Sequence, residues 1–311
     1  MDEYSDIKPI IISVVIIANI TMNSLTIAVM LKYPVLLEDC SALFMFSLTL
    51  SDLAMGCISM PISAAVCSRA TPTVRLMTTY LPEIQLLCFG WFTVNSLYSL
   101  CWMTVSKMVA LLKPLHYERI LSRKRCYGII AFNWVFGAAV AATKLNKGAS
   151  WNMHACTLAL PARGDAVSVL AVIVNGVSIV VPSIVLIYAT VRIVRVVIHT
   201  HRAIASQVNA VAAPGTETGA GLVTLKALHS ARNVIIICLM MLLLTLPILV
   251  VTSMVHFVRE LPSMAPVVFI ATWLLHCNTF VNSLLYLVLF RSVRAKTKRL
   301  FKAMYRYLRG E

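Results

Sequence analysis

The chain has 311 residues, of which 59% are hydrophobic and only 13% are charged. Soluble domains are about 45–50% apolar and about 25% charged, so this composition excludes an ordinary soluble domain and indicates an integral membrane protein. The net charge of +15 does not point to nucleic acid as a partner, because the cations cluster at the ends of apolar segments rather than on one soluble face.

Seven apolar segments follow one another, each long enough to cross a hydrocarbon core of about 30 Å. They lie at residues 9–31, 41–67, 81–108, 126–142, 166–196, 231–257 and 266–290. The short acidic start does not resemble a cleaved signal peptide, and the longest connection, residues 200–228, has the composition of a flexible loop. The predicted fold class is an all-α membrane protein with a seven-transmembrane helix bundle.

The second segment carries one carboxylate, Asp52, near its middle. An acid at the centre of a bilayer costs roughly 2.5–3.5 kcal/mol on insertion scales, so it normally faces the bundle interior and finds polar partners there. The alternative is a satisfied Asp in the core of a soluble protein. The length of this segment and its six similar neighbours argue against that alternative.

Positive charge predicts the orientation of the bundle. Of the 27 Lys and Arg residues, 20 lie in the connections on one side and in the carboxy-terminal tail, and seven lie on the other side. We therefore expect a multi-pass protein of the plasma membrane with residues 1–8 extracellular, residues 9–290 forming the bundle, and the carboxyl terminus cytoplasmic.

Residues 291–311 form a basic tail with apolar side chains at helical spacing. Those side chains are Val293, Leu300, Phe301, Met304 and Leu308. The pattern predicts a short amphipathic eighth helix on the anionic cytoplasmic leaflet, followed by a short tail, with membrane lipids as partners. A solvated basic tail is the alternative.

Short motifs stand in a fixed order along the seven segments. They are Asn23, Leu48-Thr-Leu-Ser-Asp52, the stretch from Val105 to Tyr117, Trp134, Pro182, Leu244-Thr-Leu-Pro247 and Asn282-Ser-Leu-Leu-Tyr286. In order and spacing they resemble the rhodopsin-like (class A) G-protein-coupled receptors over nearly the whole chain. The resemblance implies a divergent, orphan-type receptor with an extracellular ligand and a heterotrimeric G protein as partners, and receptor dimers are a further expectation.

The resemblance assigns G-protein coupling to Ser106, Lys107 and Met108, which stand where the family has Asp-Arg-Tyr, and to Tyr286. Lys107 keeps a cation but lacks the planar fork of arginine, and Ser106 cannot supply the restraining carboxylate. The expected consequence is high basal activity or weak coupling.

Asp52, Ser96, Asn278 and Asn282 match the sodium pocket of the family residue by residue. Oxygen ligands suit a hard cation, and one carboxylate with neutral oxygens suits a monovalent one. The alternative is a structural hydrogen-bond cluster joining three helices, at about 0.6 kcal/mol per contact. No cofactor is expected apart from this structural sodium ion.

The resemblance also implies an outward-facing ligand cavity. Its lining would comprise Phe89, Thr93, Leu97, Thr245, Ile248, Thr252, Thr272 and His276. Phe89 stands where amine receptors keep an Asp, and His276 where opsins keep the retinal-binding Lys. Retinal is therefore excluded, because no Schiff base can form, and monoamines are disfavoured. A lipid, a neutral small molecule or a peptide end suits such a lining, and plain helix packing is the alternative role.

The disulfide common in the family has no fixed counterpart, because its cysteine at the start of the third segment falls on Pro82. Cys156 is present before the fifth segment. Pairing of Cys67 with Cys156 is favoured because both should face the oxidising side. Pairing with Cys88, or an unpaired Cys156, remains open.

No catalytic triad, metalloprotease motif, Walker loop or dinucleotide loop occurs in the sequence, so an enzyme is not expected. Two alternatives to a signalling receptor remain. One is a non-signalling receptor-like protein or heterodimer partner. The other is a small transporter, although internal repeats typical of transporters are not seen.

Overall fold

Eight helices account for most of the structure, a computed structural model that describes residues 7–67, 81–143, 145, 150–152, 157–159, 166–210, 232–233, 235–248 and 265–309. They are α1 Ile7–Lys32; α2, which comprises Cys40–Ala54, a π-helical turn Met55–Ser59 and Met60–Cys67; α3 Leu81–Leu112; α4 Arg123–Ala142; α5 Ala166–Ala210; α6 Ile235–Ile248; α7 Ala265–Leu289; and α8 Arg291–Arg309.

Short elements connect these helices. Single turns of helix at Pro34–Leu37, Pro114–His116 and Tyr117–Ile120 lie after α1 and α3. A two-stranded antiparallel sheet precedes α5: β1 Ser150–Asn152 pairs with β2 Thr157–Ala159, with Ser150 opposite Ala159.

Six of the described helices are long and apolar enough to cross a membrane, judged by length and composition. These spans are Ile10–Lys32, Cys40–Ala65, Glu83–Leu112, Arg123–Ala142, Gly176–Thr200 and Pro266–Leu289. The sixth predicted segment is represented by the shorter apolar helix α6, and the rest of residues 231–257 falls outside the described part. The helical fold class is thus confirmed for six spans, and the seventh crossing stays a prediction.

Two helices extend beyond the apolar segments predicted for them. α1 begins at Ile7, two residues before the predicted segment, whereas its membrane span begins at Ile10. α5 continues to Ala210, beyond the predicted end at 196 and into the stretch predicted as a loop. Hydropathy marks where a helix leaves the hydrocarbon, whereas the helix itself can continue through polar residues. Residues 197–210 contain no Gly or Pro, the residues that disfavour a helix most.

A polar seam joins α1 to α7. The Asn23 side-chain amide donates to the Asn19 carbonyl at 2.9 Å and to the Thr279 carbonyl at 3.2 Å. The Ser283 hydroxyl donates to Asn23 Oδ1 at 2.6 Å, and Asn19 Nδ2 donates to Thr279 Oγ1. Because polar groups in a lipid-embedded bundle must find partners inside the protein, these contacts select the faces on which α1 and α7 meet.

A second polar group joins α2, α3 and α4. The Ser47 and Ser99 hydroxyls lie 3.1 Å apart, and the Trp134 indole N–H donates to Ser47 Oγ at 3.2 Å. Trp91 donates to the Trp134 carbonyl at 2.9 Å. Trp134, the fourth-segment motif residue, therefore anchors α4 to both neighbouring helices.

The π-helical turn of α2 brings Gly56 against α1. A Cβ atom at Gly56 would lie 2.0 Å from Asn19 Oδ1 and 2.7 Å from Asn19 Cγ. Single π turns within α-helices frequently occur near functional sites, and this one begins three residues after Asp52. Glycine is required here by the close approach of α1.

We predict that Gly56→Ala lowers the thermal stability of the solubilised protein by about 1–3 kcal/mol, because the added methyl group displaces Asn19 from the seam. Gly128→Ala is the matched control, since a Cβ there meets nothing within 4 Å and Ala is favoured over Gly in a helix. Equal melting temperatures for the two variants would contradict the close approach.

Candidate functional site

Asp52 lies inside the bundle, with 1% of its surface exposed. The Ser96 hydroxyl of α3 donates to Asp52 Oδ1 at 2.9 Å. Asn282 of α7 lies near the same carboxylate, although neither of its amide atoms makes a hydrogen bond within the described residues, and Asn278 is buried one turn earlier on α7. The structure thus places the four predicted sodium ligands on α2, α3 and α7.

The side-chain atoms of this group fit a cation. Within the described part of the chain, Asp52 Oδ2, Asn278 Oδ1 and both amide atoms of Asn282 are buried without a protein hydrogen-bond partner. An unpaired buried polar atom costs about 1–3 kcal/mol, so a purely structural cluster would be expected to pair them. One carboxylate, one hydroxyl and amide oxygens form the donor set of a hard monovalent ion.

Two of the predicted ligand-pocket residues, Phe89 and His276, meet in an aromatic stack that also includes Trp273, which sequence analysis did not single out. Phe89 of α3 stacks on His276 of α7 with ring centroids 5.5 Å apart, and His276 stacks on Trp273 at 4.6 Å. His276 Nδ1 lies 2.8 Å from the Thr272 carbonyl. His276 Nε2 and Trp273 Nε1 have no protein partner among the described residues, so this stack offers two polar groups to a ligand.

The other predicted pocket residues are more dispersed. Leu97 is 5% exposed and belongs to the main hydrophobic core with Met241, which makes it a packing residue in this arrangement. Thr93 is partly buried on α3, and Thr245 and Ile248 lie on α6. Thr252 lies outside the described residues.

The predicted disulfide is not tested by the described residues. Cys67 ends α2, but its side chain and Cys156 fall outside them. Cys88, the alternative partner, is a free, partly buried cysteine. The pairing of Cys67 with Cys156 stays a prediction.

The carboxy-terminal end of α3 carries a polar group that sequence analysis missed. Lys107 Nζ lies 2.7 Å from Asp39 Oδ2, and the Tyr117 hydroxyl donates to Asp39 Oδ1 at 2.8 Å. The Tyr117 and Ser106 hydroxyls lie 2.8 Å apart. We call Asp39, Ser106, Lys107 and Tyr117 the Asp39 cluster.

Asp39, the residue before α2, therefore gives Lys107 the carboxylate partner that Ser106 cannot supply. The expectation of high basal activity or weak coupling stays a prediction. Asp39 also caps α2, since its side chain accepts from the Ser41 backbone N–H at 3.3 Å. An Asp immediately before an apolar helix predicts such a cap. Its pairing with Lys107 is a tertiary contact that local sequence does not reveal.

The remaining predicted coupling residues are buried to different degrees. Tyr286 is fully buried, and its hydroxyl donates to Met103 Sδ of α3 at 3.5 Å. Met108 is partly buried on α3. Tyr286 thus joins α7 to α3 at Met103, which lies in the sequence between Ser96, the contact of Asp52, and Lys107 of the Asp39 cluster.

Comparison with known proteins assigns the family. The model of the 7 transmembrane receptor (rhodopsin family) matches residues 22–286. The chain belongs to the rhodopsin family of seven-transmembrane receptors. The family resemblance inferred from the motifs is thereby confirmed, and the receptor is a multi-pass membrane protein rather than an enzyme.

Similar curated proteins are themselves receptors. The chicken adenosine receptor A2b is 22% identical over 280 residues, which cover 83% of this chain and 77% of the relative. The guinea-pig adenosine receptor A2a is 22% identical over 284 residues, 86% of this chain and 66% of the relative. Human olfactory receptor 5AL1 is 39% identical over 67 residues, 22% of this chain and 20% of the relative.

Electrostatics favour the ionised form of Asp39 in the receptor. Partial burial alone would raise the pKa of this carboxyl. The Lys107 ammonium and the hydrogen bonds from Lys107, Ser41 and Tyr117 outweigh burial and lower the pKa from 3.8 to about 2. Burial raises the pKa of the Tyr117 phenol well above its usual range, so this hydroxyl remains a donor to Asp39.

A carboxyl whose pKa is lowered by folding stabilises the folded state above its unfolded pKa, and this contribution is lost as the pH falls toward the folded value. We predict that Asp39→Asn lowers the melting temperature by the same amount at about pH 7 and about pH 5, and that the difference shrinks below about pH 4. Because the Asp39 side chain is 44% exposed, the contribution is at most about 1 kcal/mol.

Thermal melts of the two proteins in one detergent across this range provide the measurement. A difference that vanished between about pH 7 and about pH 5 would contradict the lowered pKa.

Proposed function

We propose that this receptor transmits an extracellular or constitutive signal to heterotrimeric G proteins at the plasma membrane. The amino terminus is extracellular and α8 is cytoplasmic in this proposal. The observation that carries it is the surface formed by the end of α3 and the turns that follow it, where an exposed apolar side chain is surrounded by cations. The distribution of Lys and Arg supports the orientation.

Leu115 stands at the centre of this surface. Its side chain is 95% exposed, and it lines an open cleft of about 650 Å³ with Lys113, His116, Arg119 and Arg125. Exposed apolar groups rimmed by polar residues mark interaction sites. The cations favour a partner with an acidic surface through electrostatic complementarity.

The packing of α8 supports its proposed place on the cytoplasmic leaflet. Val293 and Thr297 are buried against the bundle, whereas Phe301 and Met304 are about half exposed. Apolar side chains left exposed among cations on a helix suit an anionic lipid surface.

For the ligand we propose a neutral small molecule bound next to the aromatic stack of Phe89, His276 and Trp273. Stacked rings with two available N–H or nitrogen groups suit a flat, polar, uncharged molecule. Two similar proteins are named as adenosine receptors, so adenosine is the first compound to test. A lipid or a peptide end remains the alternative.

The function is tested by second-messenger output without added ligand, with and without Lys107→Ala. We predict that Lys107→Ala lowers output about tenfold, which corresponds to about 1.4 kcal/mol of lost partner contact. Lys32→Ala, an exposed lysine at the end of α1, should leave output unchanged at equal surface expression. Equal output from all three proteins would count against coupling through Lys107.

Two outcomes would favour the alternatives. Output that appears only when a second receptor is co-expressed supports a heterodimer partner. Ion flux in reconstituted vesicles that is abolished by Asp52→Asn supports a transporter.

We further propose that sodium binds at Asp52, Ser96, Asn278 and Asn282. Sodium chloride should raise the melting temperature of the receptor by about 2–4 °C over choline chloride, the shift expected for about 1 kcal/mol of binding free energy. Asp52→Asn should abolish this shift, because the amide lacks the charge. Asp39→Asn, which removes the carboxylate of the Asp39 cluster instead, should retain it, and a sodium shift that survives in Asp52→Asn would refute the site.

A further inference from the structure

The Asp39 cluster gathers side chains from three parts of the chain. Asp39 caps the start of α2, and Ser106 and Lys107 lie near the end of α3. Tyr117 begins a helical turn that follows α3. Both carboxylate oxygens are used: Oδ2 contacts Lys107 and Oδ1 contacts Tyr117. The carboxylate therefore bridges two donors that do not contact each other directly.

The pair differs from an ordinary surface ion pair. Fully exposed pairs contribute little, because water screens them and long side chains lose entropy. Here the Lys107 side chain is only 19% exposed, and Asp39 is additionally held by the backbone and hydroxyl groups of Ser41. The carboxylate is thus fixed before Lys107 reaches it, which reduces the entropy that pairing costs.

From this geometry we propose that Asp39 is the positioning residue of Lys107, and that their pair restrains the cytoplasmic end of the receptor in its non-signalling arrangement. The restraint rests on the proposed function, whereas the positioning of Lys107 does not. In the Asp-Arg-Tyr triplet that the resemblance implies, the carboxylate of Asp stands next to the cation of Arg on the same helix. Here Ser106 occupies that position and reaches Asp39 only through the Tyr117 hydroxyl.

Because the carboxylate lies at the start of α2 and not on α3, the ion pair links two helices. A neighbour on α3 could hold the cation without linking two helices. Asp39 instead ties the start of α2 to the end of α3 and to the turn at Tyr117. Lys107 can offer its charge to a partner only after this three-way contact opens, so release of the cation is coupled to movement between α2 and the connection after α3.

The variant Asp39→Asn tests the contribution of the negative charge alone. Asn is as good a helix cap as Asp, so the start of α2 is retained while the ion pair is lost. Asp39→Glu keeps the charge and provides the rescue variant. Glu38→Gln is the matched control, because Glu38 is an exposed carboxylate one residue away with no ion pair within the described residues.

The first readout is the rate at which an amine-acylating reagent modifies Lys107 in the purified full-length receptor, measured by mass spectrometry. Asp39→Asn should raise this rate about fivefold, the scale of a partly exposed ion pair. Asp39→Glu should restore protection and Glu38→Gln should leave it intact. Equal rates in Asp39→Asn and Glu38→Gln would overturn the positioning role.

The second readout is ligand-free nucleotide exchange on a purified G protein by the same four proteins in nanodiscs. The restraint predicts a rise of about fivefold for Asp39→Asn alone. If the unmodified receptor stimulates exchange and Asp39→Asn stimulates it no more strongly, the restraint is overturned. Absence of exchange from every variant would refute the proposed function and with it the restraint, while the acylation rates still decide whether Asp39 positions Lys107.

Discussion

Asp52 is a carboxylate in an apolar bundle, and its burial constrains the helices around it. Its polar neighbours must come from the protein, because lipid offers none. Ser96 donates from α3, and Asn282 approaches from α7. The three helices are therefore held in one relative arrangement, and the π-helical turn that follows Asp52 allows α1 to approach at Gly56.

α3 connects the three sites of the receptor. Phe89 lies in the aromatic stack, Ser96 contacts Asp52, and Lys107 belongs to the Asp39 cluster. Met103 contacts Tyr286 of α7 between the last two. A displacement of α3 relative to α2 or α7 would alter all of these contacts together. The bundle thus contains a continuous set of packed contacts from the proposed ligand site to the proposed G-protein surface.

The Asp39 cluster changes the interpretation of the Ser106-Lys107-Met108 triplet. The loss of an acid next to the cation suggests an unrestrained receptor when α3 is considered alone. In the folded structure the positive charge of Lys107 is balanced by Asp39, which is 68 residues away in the sequence. The substitution of the triplet and the presence of Asp39 are therefore two parts of one electrostatic arrangement.

The sequence alone determined the membrane class, the positions of six spans and the family, since hydropathy and motif order are local properties of the chain. Tertiary structure decided which polar groups meet. Ser283 contacts Asn23 across 260 residues, Lys107 pairs with Asp39, and Leu97 packs in the hydrophobic core. Local patterns set the free energy of placing a residue in lipid or in a helix, but they carry no information on the distance between helices, and that distance determines each of these contacts.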